Sequence, residues 1–140
     1  GNKYGRPWRI GIQHPRAPGP IAILDLFDGE SIGTSGDYQR YFEIDKKRYH
    51  HLLDPRTGFP STATQAVTIL IPKNKNAGLY SDVYSKPIFI AGNQWQKIAK
   101  NLKLQNILRI NQNGKIEISR DFYSRLEFLI DQKEIQIVDF

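Results

Sequence analysis

The sequence contains no cysteine, which removes disulfide frameworks and thiolate metal sites from consideration. A cysteine-free chain suits any redox compartment. No run approaches the roughly 20 consecutive apolar residues of a membrane helix, so no membrane span is expected. No basic-then-apolar secretory segment stands ahead of Gly1; any targeting signal is expected to have been removed or never to have existed. Internal repeats, low-complexity stretches and dividing linkers are also lacking, so residues 1–140 are expected to form a single domain.

What is present suits a packed core: 39% hydrophobic residues, with 7 Phe, 7 Tyr and 2 Trp. Charged residues make up 24%, which argues against wholesale disorder. The net charge is +6, but Lys and Arg are scattered and interrupted by acidic residues. The densest basic run is Lys46-Lys47-Arg48. No recognition-helix, zinc-finger or RNA-binding signature accompanies them, so the charge reads as a solvated surface and no nucleic-acid partner is expected. A mild positive potential also suits attraction of a dinucleotide or another anion.

Alternation predicts strands at Trp8–Ile12 and Ile21–Phe27, then a tight turn at Asp28-Gly29 into Glu30–Thr34. Arg40–Ile44 and Arg48–Leu53 read as a hairpin around Asp45-Lys46-Lys47. Ala66–Ile71 is nearly all apolar, as in a strand buried on both faces. Asn76–Ala91 turns helical, with Leu79, Val83, Ile88 and Phe89 at roughly helical spacing, and Pro87 must kink that helix or lie in its first turn. A second helix is expected at Gln94–Leu102. Ile107–Ile110 and Lys115–Ile118 flank Asn113-Gly114, a strong hairpin signal. Leu126–Ile130 and Ile135–Val138 read as a last pair of strands. The fold class is therefore α+β, with a largely antiparallel sheet and two helices.

Three clusters carry candidate chemistry. Gly33-Thr34-Ser35-Gly36-Asp37-Tyr38 reads as a turn whose exposed N–H groups suit a phosphate, or as an ordinary turn. His50-His51-Leu52-Leu53-Asp54-Pro55-Arg56-Thr57-Gly58-Phe59-Pro60 runs from a strand into a rigid polar loop. His51 suits general base work and Arg56 suits a phosphate. In the alternative, Asp54 and Thr57 cap the turn while Arg56 pairs with a carboxylate. His50 and His51 point to opposite faces of a strand, so they do not share one metal unless that strand is disrupted. In Ser81-Asp82-Val83-Tyr84-Ser85-Lys86, Asp82 and Lys86 lie four apart on one helix face. They suit a surface ion pair, or Asp82 offers magnesium a hard oxygen.

The order of Trp8–Ile12, Thr34–Tyr38, His51-x-x-Asp54-Pro55-Arg56-Thr57-Gly58-x-Pro60, the buried strand and the Ser-Asp helix resembles the ApbE family, from Gly5 to about Gln105. The resemblance is to the carboxyl-terminal part of such proteins, which are usually about twice this length. It implies a magnesium-dependent transferase that cleaves FAD and attaches FMN to a threonine of an acceptor protein, typically in a respiratory redox complex. Some relatives instead hydrolyse FAD to FMN and AMP, and a non-catalytic flavin-binding module is a further alternative. By the resemblance, His51 is the base toward the threonine hydroxyl. Thr34, Ser35, Gly36 and Asp37 help hold FAD, and Asp54, Arg56, Thr57 and Gly58 shape the pyrophosphate pocket. Asp82 is the Mg2+ ligand. Lys86 stands where the family usually places a threonine or serine that helps hold the metal, and a protonated lysine does not ligate magnesium. The resemblance also implies an amino-terminal half that completes the flavin and metal sites, and a periplasmic or membrane-anchored lipoprotein.

Overall fold

A computed structural model describes residues 4–140. Ten strands run β1 (Trp8–Gln13), β2 (Pro20–Leu26), β3 (Ser31–Gly36), β4 (Tyr41–Ile44), β5 (Lys47–His50), β6 (Thr64–Ile71), β7 (Ile107–Asn111), β8 (Ile116–Ser119), β9 (Leu126–Phe128) and β10 (Ile135–Val138). Between β6 and β7 lie helix α1 (Ala77–Ala91) and helix α2 (Trp95–Asn101), and a short α3 (Arg120–Tyr123) follows β8. No helix among the described residues is long and apolar enough to cross a membrane.

The central sheet has five strands in the order β10-β8-β7-β6-β3. All its pairings are antiparallel except the one between β10 and β8. Strands β1, β2 and β9 form a second antiparallel sheet. Strands β4 and β5 form a two-stranded ribbon, with Asp45 and Lys46 both at positive φ in its turn. This is the tight connection such ribbons favour.

Every residue of β6 is buried, as its apolar run predicts. Period-two alternation divides its side chains between two clusters. Val67, Ile69 and Ile71 face Ile88 and Phe89 of α1 with Trp95 and Ala99 of α2. Ala66 and Leu70 face Ile21, Ala22 and Leu24 of β2 and Phe122 of α3. The central sheet is thus packed by helices on one face and by the smaller sheet on the other.

Several expectations change. β9 and β10 do not pair with each other: β9 joins β2, and β10 runs parallel to β8. Apolar alternation marks which face is buried but not which strand lies alongside. The turn after β2 forms, with the Glu30 N–H donating to the Phe27 carbonyl at 3.2 Å, yet it carries the chain from one sheet into the other. β5 ends at His50 rather than Leu53, which forms an isolated bridge with Pro60.

α1 also turns a different face inward than its large residues suggest. Leu79 and Val83 are exposed, and the buried positions are Ala77, Ser81, Ser85, Ile88 and Phe89. The helix continues through Pro87, whose missing N–H removes the bond to the Val83 carbonyl on the solvent side.

Candidate functional site

The buried serines of α1 explain how closely this helix approaches β3. Ser31, Gly33 and Ser35 share one face of the strand. Ser31 Oγ lies 2.9 Å from Ser81 Oγ, and Ser35 Oγ lies 2.7 Å from Ser85 Oγ. Gly33 sits between these pairs, where a Cβ atom would meet the Ser81 carbonyl oxygen at 2.6 Å. Small residues therefore bring the helix backbone against the sheet edge, and Asp82 and Lys86 stand at the rim of that contact.

A polar cavity of about 240 Å3 opens there, lined by Thr34, Ser35, Gly36, Gln39, Arg40, His51, Asp82 and Lys86. It unites the first cluster, His51 and the Ser-Asp helix. Gly33–Gly36 is not a turn, however: these residues belong to β3 and pair with β6. β3 is an edge strand, and an edge strand presents unpaired N–H groups outward. Any exposed backbone donors thus come from a sheet edge. Gly36 is small because the Tyr38 ring lies over it, within 2.3 Å of where a Cβ would stand.

Asp37 does not line the cavity. Its carboxylate is buried and accepts bonds from Arg16 Nη1 at 2.7 Å and Nη2 at 2.5 Å. Arg48 Nη1 stands 3.6 Å away on the other side. The Thr34 hydroxyl turns to Thr68, 2.9 Å off.

His51 is exposed, with Nδ1 in a long 3.4 Å contact to the Arg40 carbonyl. A carbonyl only accepts, so this contact favours a proton on Nδ1 and leaves the lone pair on Nε2, as a base requires. The neighbouring His50 is buried. Its Nε2 donates to the Ser61 carbonyl at 2.8 Å while Nδ1 accepts the Leu52 N–H at 3.2 Å. It fixes the entry to the following loop.

The loop 54–58 lines a different depression, with Pro60, Ser61, Ala91 and Gly92. The Asp54 carbonyl accepts the N–H groups of Thr57 at 3.1 Å and Gly58 at 2.8 Å, with Gly58 at φ 74°. The Asp54 carboxylate binds the Arg56 guanidinium, Nη2 to Oδ2 at 2.6 Å, and also accepts the Arg56 N–H at 3.0 Å. The Arg56 hydrogen bonds hold the Asp54 carboxyl down at about 2. The turn-capping arrangement is the one the structure shows.

Asp82 and Lys86 are joined: Lys86 Nζ donates to Asp82 Oδ1 at 2.6 Å and to the Asp82 carbonyl at 2.9 Å. An exposed pair four apart on a helix is worth only about 0.3–0.5 kcal/mol, so stability does not require it. Arg40 makes no ion pair among the described residues. Arg40, expected at the start of a hairpin strand, lies instead with Gln39 in the bend before β4, where spacing along the chain assigns neither a functional role.

A larger depression of about 550 Å3 is lined by His14, Arg16, Gln65, Lys115, Lys133 and their neighbours. Size favours it, but Arg16 there is already committed to Asp37. Each depression holds a histidine and a cation without an ion pair among the described residues, His14 with Lys115 in the larger and His51 with Arg40 in the smaller, but the smaller also brings in β3 and the Ser-Asp helix.

Comparison with known proteins covers most of the chain. The sequence model of the ApbE family matches residues 1–110. The chain is 34% identical over 128 residues to an FAD:protein FMN transferase of Rhodobacter capsulatus, covering 91% of this chain and 24% of that protein. A similarly named protein of Klebsiella pneumoniae (strain 342) is 33% identical, over 94% of this chain and 37% of its own length. The crystal structure of an ApbE protein from Thermotoga maritima superposes with a TM-score of 0.78 at 37% identity, over 89% of this chain and 40% of that one. The chain spans well under half the length of these relatives.

Proposed function

The chain belongs to the ApbE family, and on that footing we propose that its β3–α1 cavity receives the pyrophosphate of FAD for transfer of FMN to a threonine hydroxyl. The observation that carries the reading is the convergence of His51, Arg40 and Lys86 on one polar cavity. In the proposed step the threonine oxygen bonds to the FMN phosphorus. The bond from that phosphorus to the bridging oxygen breaks, and AMP departs with that oxygen. His51 Nε2 takes the threonine proton. Phosphoryl transfer asks the protein mainly for positioning and charge neutralisation, which Arg40 and Lys86 supply. Remaining flavin contacts are assigned to an amino-terminal segment of the kind the longer relatives possess, and the acceptor to a threonine-bearing subunit of a respiratory complex.

Magnesium does not fit the donor set. Asp82 is the one carboxylate lining the cavity, and an ammonium group already holds it. Among the described residues no group of three or more His, Asp or Glu converges as a metal site. No step is therefore routed through a metal.

The test is mass spectrometry of a threonine-containing acceptor peptide incubated with the chain and FAD, alone and with the amino-terminal half of a relative added. Peptide-bound FMN and free AMP are expected, and His51→Ala should lower the rate by about 100-fold or more while FAD still binds. FMN and AMP released without an acceptor would replace the transferase by an FAD pyrophosphatase. FAD bound without any product would leave a flavin-binding module.

A further inference from the structure

We propose that Lys86, held in place by Asp82, is itself the cation that binds the pyrophosphate, so that this site works without a metal. The inference rests on the flavin reading above and specifies how that site recognises its anion.

Two oxygens of one residue converge on Lys86 Nζ: the Asp82 carboxylate at 2.6 Å and the Asp82 carbonyl at 2.9 Å. An ammonium group has three donors, so one remains for a ligand while the other two fix its position. Arg40 lines the same cavity with no carboxylate paired to it among the described residues. The cavity therefore presents two cations to one anion. A divalent ion would enter against both and find few free hard oxygens, because the Ser35 and Thr34 hydroxyls already meet Ser85 and Thr68. A pyrophosphate diester is dianionic and chelates between a point charge and a planar fork, as Lys and Arg provide. Asp82 is then a positioning residue rather than a ligand, and it offsets Lys86 when no anion is bound.

The experiment is a titration of FAD into the chain by flavin fluorescence, with magnesium and then with a chelator. The wild-type dissociation constant is expected to agree within about twofold in the two conditions. Lys86→Gln should weaken binding about tenfold in both, and Lys86→Arg should restore most of it. Asp82→Asn, which keeps an oxygen for Nζ but drops the opposing charge, should tighten binding by roughly threefold. A tenfold gain on adding magnesium to the wild type, or loss of binding in Asp82→Asn, would make Asp82 a metal ligand and overturn the inference while the flavin reading stood. Unaltered affinity in Lys86→Gln would overturn it equally. Absence of FAD binding in every condition would remove the flavin site itself, and the inference with it.

Discussion

Gly33→Ala is expected to lower stability by about 3 kcal/mol and the melting temperature by roughly 10 °C, with FAD binding impaired as well. The reason is local. The added methyl would stand 2.6 Å from the Ser81 carbonyl oxygen and 2.7 Å from its carbon. Backbone atoms within a helix cannot swing aside as a flexible side chain does. The helix must lift from β3, which would stretch the Ser31–Ser81 and Ser35–Ser85 contacts and carry Asp82 and Lys86 away from Arg40. Gly78→Ala is the control, because there the nearest atom would lie at 3.9 Å. That variant should stay within about 1 kcal/mol of the wild type. Equal melting temperatures for the two variants in calorimetry would contradict the close packing on which the site rests.

The second large effect lies away from the cavity. Arg109 is fully buried. Its Nη1 donates to Glu117, its Nε to Thr64 Oγ1 at 3.0 Å and its Nη2 to the Ala63 carbonyl at 2.7 Å. Glu117 also accepts the indole N–H of Trp95 at 2.9 Å. Burying such a pair yields little net stability, but removing one partner strands the other. Arg109→Leu is accordingly expected to cost about 3–5 kcal/mol, or roughly 10–15 °C of melting temperature. Arg56→Leu, at an exposed arginine, should leave the melting temperature unchanged within measurement. A mild Arg109→Leu would show that the network is solvated and dispensable.

The arginine network was only half legible. A two-residue turn at Asn113-Gly114, extended outward, would set Arg109 opposite Ile118, but the loop is 112–114, with the Asn111 N–H donating to the Lys115 carbonyl at 3.0 Å, and that one-residue shift pairs Arg109 with Glu117. The face of α1 was harder to read. Hydrophobic spacing pointed to Leu79 and Val83, whereas close packing selected Ser81 and Ser85 because β3 offers Ser31, Gly33 and Ser35 opposite. Small-residue complementarity needs both partners to be known. β6 was legible because packing on both faces leaves 66–71 almost wholly apolar, with Thr68 the one polar residue, its hydroxyl 2.9 Å from that of Thr34. The order of the last strands was not, since alternation carries no information on which neighbour completes a sheet.

The site was legible in part. His51, Asp82, Lys86 and Thr34–Gly36 do meet in one cavity. Asp37 lies outside it because two arginines claim its carboxylate, and Arg56 lies outside because Asp54, two residues before it, is the nearer anion. Arg40 joins the cavity through a bend with no periodic pattern. For Asp37 the deciding factor is a pair of partners distant in sequence, Arg16 and Arg48, which spacing along the chain does not reveal.

The central claim, that flavin pyrophosphate is received between β3 and α1, is tested most directly by following backbone amide shifts in solution NMR as FAD is added. The account predicts saturable shifts centred on Thr34, Ser35, Gly36, Arg40, His51, Asp82 and Lys86, with little change at Lys115 and Lys133. Shifts centred instead on His14, Lys115 and Lys133, or none at saturating FAD, would contradict it.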